Sequence, residues 1–139
     1  MALRCTKGSS IGSTSPKPAC EALFGPRPLI ESALADSDNT ILGFALWLVF
    51  FGTISGTCGM FVDNLFVAEP YRSRGIGLAL FRHIARIAVE KQYSVVQWDV
   101  NRLNARAIEF YRRLGAQPVS NDLFMEELRG DALLALARD

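Results

Sequence analysis

The chain has 139 residues, half of them hydrophobic and 21% charged, with a net charge of +1. That balance fits one soluble domain with a sizeable core, argues against a disordered chain, and supplies neither a basic field nor an aromatic-interleaved Lys/Arg cluster for nucleic acid. The three cysteines, Cys5, Cys20 and Cys58, are widely spaced and lack CxxC or Cys/His spacing, which points to a reduced intracellular compartment and to no metal site.

Residues 1–18 are rich in Ser, Gly, Thr, Lys and Pro without apolar periodicity and read as a disordered or mobile tail ahead of a folded domain over residues 19–139. Residues 19–24 suit a short helical remnant, and Gly25-Pro26-Arg27-Pro28 forces a turn or extended chain. A strand is expected over 29–35 and a hairpin-like turn at Asp36-Ser37-Asp38-Asn39. The continuous apolar run 41–51 then suits a strand buried on both faces, with a turn over 52–59. The stretch 40–62 carries no charge and is long enough to span a bilayer. Its second half concentrates Gly, Thr and Ser, and its flanks are acidic with no Lys or Arg, so it reads as two buried strands and not as a membrane span. The N-terminus has no apolar signal core, which agrees with a cytoplasmic location.

Residues 61–67 read as a strand of β-branched and aromatic side chains, with Pro70 marking the turn after it. From Gly75 to about Lys91, Ile76, Leu80, Ile84, Ile87 and Ala88 share one face at helical spacing. Tyr71-Arg72-Ser73-Arg74-Gly75-Ile76-Gly77 therefore stands at a helix N-terminus, where unpaired amides and the positive end of the dipole favour an anion. Residues 93–100 alternate with a period of two. Asn104 caps a further helix to Leu114, with Ala107, Ile108, Tyr111 and Leu114 on one stripe and Gly115 as its stop. Residues 123–128 could return to the sheet and 131–138 could close with a short helix. The element order is that of an α/β or α+β fold, helices over a mixed sheet.

A lone Gly-x-Gly after a strand is weak evidence, but the dinucleotide and Walker patterns fail, since Leu80 stands where a third glycine would fall and no Gly-Lys-Ser/Thr follows. The pattern is R-x-x-G-x-G at Arg72, Gly75 and Gly77. One helix and one strand later comes N-x-x-A-x-x-F-Y at Asn104, Ala107, Phe110 and Tyr111, then Leu114-Gly115-Ala116. The pair resembles the acetyl-CoA-binding motifs of the GNAT N-acetyltransferases. Gly43-Phe44-Ala45 and Asp63-Asn64-Leu65-Phe66-Val67 upstream resemble its diamine (spermidine/spermine) and thialysine branch.

The resemblance implies a mainly antiparallel mixed sheet flanked by helices. The chain is short ahead of Leu29, so the family's first strand and helix are expected to be missing. Where the branch carries Glu-Asp, this chain has Asp63-Asn64, and Asn121-Asp122-Leu123 stands where a Gly-Trp step is usual. The implied activity is direct acetyl transfer from acetyl-CoA to a primary amine of a small diamine, polyamine or lysine-like amino acid. The alternative is a truncated CoA-binding or interaction module without turnover. A homodimer is the assembly the family suggests.

A primary amine has a pKa of about 10.4, so exposing its free base at neutral pH costs about 4 kcal/mol, which a general base helps supply. Asp63 is the candidate, directly or through water, on a face read as shared with Phe61 and Leu65; the plainer reading is an edge-strand carboxylate facing water. Tyr111 is implied as the acid that protonates the departing thiolate, against a role in core packing alone. Backbone amides of Ser73, Arg74, Gly75, Ile76, Gly77 and Leu78 are expected around the pyrophosphate. Arg72 or Arg74 adds charge there or is a solvated turn residue. Leu65, Phe66 and Val67 are implied for the cofactor, with main-chain groups of Leu65 and Val67 on the pantetheine. Asn104 and Ala107 complete the cofactor set. His83 reads as a surface residue, and Cys58 has no base at motif spacing.

Overall fold

The computed structural model describes residues 2–5, of which the backbone alone is considered, together with residues 23 and 25–119. Most of the segment read as a tail, most of the helical remnant at 19–24, the Asn121-Asp122-Leu123 step, the strand at 123–128 and the helix at 131–138 lie outside the described residues. The chain forms two compact units, Met1–Asp99 and Val100–Asp139.

The first unit carries, among the described residues, a five-stranded sheet in the order β1 (Ala2–Cys5), β2 (Glu31–Ser37), β3 (Thr40–Gly52), β4 (Thr57–Val67) and β5 (Val95–Trp98). Neighbours from β1 to β4 run antiparallel and β5 is parallel to β4. The mixed, mainly antiparallel sheet is as expected. The missing first strand is not, because Ala2 pairs with Asp36 and Cys5 with Ala33. Four residues hold only two alternations, too few to show a period. What makes them a strand is the open edge of β2, a tertiary cause that a local reading does not see.

Asp38 and Asn39, both at positive φ, close the two-residue hairpin between β2 and β3, as the polar run there implies. Helix α1 (Ile76–Glu90) lays Ile76, Leu80, Ile84 and Ala88 onto the sheet with Ile87 alongside, the predicted stripe. Ala33, Ala35 and Ala45 are fully buried beneath, and their small size lets Trp47, Met60, Leu80 and Ile84 fill the space between helix and sheet. Phe81 meets Trp98 edge-on at 4.8 Å and ties the helix to β5.

The apolar run of β3 is buried on one face only. Gly43, Ala45 and Trp47 face the core while Phe44, Leu46 and Leu48 are half-buried, and Val49 and Phe51 lie exposed where the β3–β4 hairpin outruns the helix. The uncharged stretch 40–62 is therefore hairpin, and no described helix is long and apolar enough to cross a membrane.

Two bulges interrupt the ladders. On β3, Leu42 is skipped between the pairs Ala35↔Gly43 and Asp36↔Ile41. On β4, Asp63 is skipped between Leu46↔Asn64 and Trp47↔Val62. Met60 and Val62 face the core before the second bulge, and Leu65 and Val67 do so after it, so the phase of β4 shifts by one residue at Asp63.

In the second unit, helix α2 spans Ala105–Arg113. The Asn104 side chain accepts the Ala107 N–H at 3.1 Å, the cap its sequence signals. The helix ends as a Schellman motif: Ala116 donates to the Tyr111 carbonyl, Gly115 donates to the Arg112 carbonyl, and Gly115 lies at φ 87°.

Candidate active site

The phosphate-type loop follows β4 through a single 3-10 turn, Glu69–Tyr71. Ser73 and Gly75 both adopt positive φ, 62° and 80°, and Gly75 stands as the N-cap of α1. A Cβ on Gly75 would meet nothing within 4 Å, so glycine is needed there for its left-handed backbone and not for space. No side chain caps this end and no acidic residue occupies the first turn. The amides of Ile76, Gly77 and Leu78 thus have no helical acceptor, and the dipole's positive end is not neutralised.

Arg72 and Arg74 flank the loop without both being solvated bystanders. Arg72 donates Nε to the Val67 carbonyl at 3.0 Å and ties the loop back to β4. The Arg74 guanidinium lies over the Tyr71 ring, 5.8 Å from its centroid. Nothing in the residue pattern signals either contact, since both depend on how the loop folds.

Among the described residues, β4 has an open side beside this loop. In an antiparallel pair, alternate residues direct both main-chain groups at the partner strand. Ala68 donates to the Leu42 carbonyl at 2.9 Å, so Phe66 and Asn64 are the residues that bond β3, and Leu65 and Val67 turn theirs the other way. On that side the parallel pairing with β5 ends at Val62↔Trp98. Phe66 stacks on Phe44 at 5.4 Å, its side chain 44% exposed. The Val67 carbonyl, expected toward the cofactor, is already engaged by Arg72.

Asp63 is exposed at the bulge, next to this open side. The face shared with Phe61 and Leu65 does not exist, because the bulge sends Leu65 to the core side with Met60 and Val62 while Phe61 points away from it. Asn64 donates Nδ2 to Asp63 Oδ2 at 3.0 Å. The signal was present in Met60-Phe61-Val62-Asp63-Asn64-Leu65-Phe66-Val67, where apolar alternation slips by one across two polar residues. His83 is half-buried on α1, its Nε2 sealed from solvent, and so is not the plain surface residue its charged neighbours suggest.

In the second unit, α2 carries Ala107, Ile108 and Tyr111 half-buried on one side, and Leu114 is exposed. Tyr111 packs against the Phe110 ring edge-on at 5.2 Å. Burial raises its phenol above the ordinary value of 10.0, which keeps it protonated and able to donate. Because the folded-state pKa is the higher one, this group's stabilising contribution is whole below about pH 10 and is lost as pH rises through the folded value. Thermal melts from pH 9 to 11 are expected to fall more steeply for the wild type than for Tyr111→Phe; parallel slopes would show that the phenol is not held neutral by the fold.

The comparisons with known proteins follow the same residues. Residues 9–116 match the model of the acetyltransferase (GNAT) family. L-ornithine N5-acetyltransferase of Arabidopsis thaliana is 34% identical over 100 residues, which are 72% of this chain and 43% of that protein, so the chain spans less than half of that relative. Thialysine N-epsilon-acetyltransferase of Mus musculus is 25% identical over 124 residues, 82% of this chain and 72% of the mouse protein. Among solved structures, an integron cassette protein from V. cholerae superposes with a TM-score of 0.77 at 26% identity, covering 91% of this chain and 80% of its own. With a match across most of its length, and with the fold to go with it, the chain belongs to the GNAT family of acetyltransferases.

Proposed function

We propose that this chain moves an acetyl group from acetyl-CoA directly to the primary amine of a small diamine, polyamine or lysine-like amino acid. One observation carries the reading: an uncapped helix N-terminus follows a strand edge that, among the described residues, has no partner beyond Val62, in the same unit. The first suits a pyrophosphate and the second suits a chain of amides. The relatives named for ornithine and thialysine support a small amine as acceptor.

Acetyl-CoA, when bound, supplies an acetyl group activated as a thioester. The amides from Ser73 to Leu78 would hold its phosphates, Arg72 and Arg74 would add positive charge, and main-chain groups of Leu65 and Val67 would orient the pantetheine; in the second unit, Asn104 and Ala107 are the cofactor candidates. Asp63 takes a proton from the acceptor ammonium, directly or through water. The freed nitrogen lone pair would bond the acetyl carbon as the carbon–sulfur bond breaks, Tyr111 would give its proton to the leaving sulfur, and the second proton shed by the acylated nitrogen would return through solvent to restore the phenol.

Calorimetric titration with acetyl-CoA tests the cofactor half, and thiol release in the presence of putrescine, spermidine, L-ornithine or thialysine tests the transfer. Saturable one-site binding followed by thiol release is expected. Binding without release from any amine would favour the non-catalytic module, and no binding by folded protein would remove the phosphate site. Arg72→Ala is expected to weaken acetyl-CoA binding roughly tenfold, through one lost charge and a loop no longer tied to β4. Unchanged affinity would return Arg72 to the role of a plain turn residue.

A further inference from the structure

Asn64 follows Asp63 directly on β4. The bulge sets it apart from its neighbour: Asp63 is skipped by the β3 ladder, while Asn64 is held opposite Leu46. An exposed carboxylate on a bulged residue has little to orient it, and the hydrogen bond from Asn64 Nδ2 to Asp63 Oδ2 comes from a backbone that is fixed. That bond occupies one carboxylate oxygen and leaves Oδ1 for another partner.

We propose that Asn64 is the positioning residue of the transfer reaction: its anchored amide fixes the Asp63 carboxylate so that Oδ1 is the oxygen presented to the acceptor's proton. The inference rests on the transfer reading above. In this chain the amide donates a hydrogen bond to the carboxylate beside it, a contact that the Asp of the branch's Glu-Asp pair has no proton to make when ionised. The proton still passes to Asp63 alone, and Asn64 neither gains nor loses one.

The test is a double-mutant cycle read by thiol release with putrescine, spermidine, L-ornithine and thialysine as acceptors. Asn64→Ala is expected to lower kcat about three- to tenfold with the KM for acetyl-CoA unchanged, and to have no further effect in an Asp63→Asn background. Asn64→Asp, similar in size but without the donor, is expected to lose at least as much, which separates orientation from packing should Asn64→Ala prove unstable. Wild-type kcat in Asn64→Asp, or the same fold-loss from Asn64→Ala with and without the Asp63 carboxylate, overturns the inference while the transferase stands. Absence of thiol release from wild type with all four amines removes the transfer reading, and the inference with it.

Discussion

Asp63→Asn is expected to reduce amine acetylation by roughly 10²- to 10³-fold, with acetyl-CoA affinity by calorimetry unchanged. The substitution keeps the size and polarity of the side chain and removes its basicity. The residue is exposed and outside the β3 ladder, so the fold does not depend on it. Transfer needs the acceptor as a free base, and without a carboxylate the few per mille or fewer of unprotonated amine at neutral pH must suffice. The loss should therefore shrink as assay pH is raised toward the amine's own pKa. A variant with wild-type turnover at neutral pH would remove Asp63 from the mechanism and leave it as a solvated carboxylate.

Gly43→Ala is expected to cost about 2–4 kcal/mol of stability, read as a lowered denaturant midpoint at constant slope. A Cβ there would lie 2.5 Å from the Phe66 carbonyl oxygen and 3.3 Å from the Val67 Cα, both main chain of the neighbouring strand. Backbone cannot swing aside, so relief requires β3 and β4 to part at the end that leads into the phosphate loop. Acetyl-CoA affinity should fall along with stability. Gly59→Ala makes the comparison: its Cβ would meet the Phe50 ring at 2.5 Å and Val95 Cγ1 on β5 at 2.8 Å, both side-chain atoms and not main chain. A smaller loss, about 1–2 kcal/mol, is expected there. Equal costs at the two glycines would show that the strand spacing at Gly43 is not rigid.

Much of this arrangement is legible in the residues because several local signals agree. Helix α1 declares itself by its stripe, and α2 by Asn104 at one end and Gly115 at the other. The loop between β4 and α1 announces an uncapped helix start through glycine placement and the missing acid in the first turn. What escaped reading was set by pairing partners far away in sequence. Ala2–Cys5 becomes a strand because β2 offers an edge, and β3 buries one face because α1 covers only one. The role of Arg72 turned on a carbonyl five residues back, which no spacing rule singles out. The face assigned to Asp63 failed for a plainer reason: strict alternation was carried through a place where the strand holds one residue too many.

That extra residue works as a phase converter between two codes written along one strand. Upstream of it the even-numbered positions of β4 answer to the core, and downstream the odd-numbered ones do. Removing residue 63 altogether would join Val62 to Asn64 in one continuous ladder and leave Leu65 and Val67 on the core side, because the remaining residues already alternate without a break. The sheet's pairing and core are thus complete without residue 63, and what the extra residue adds is a side chain held outside the ladder just before the strand's end.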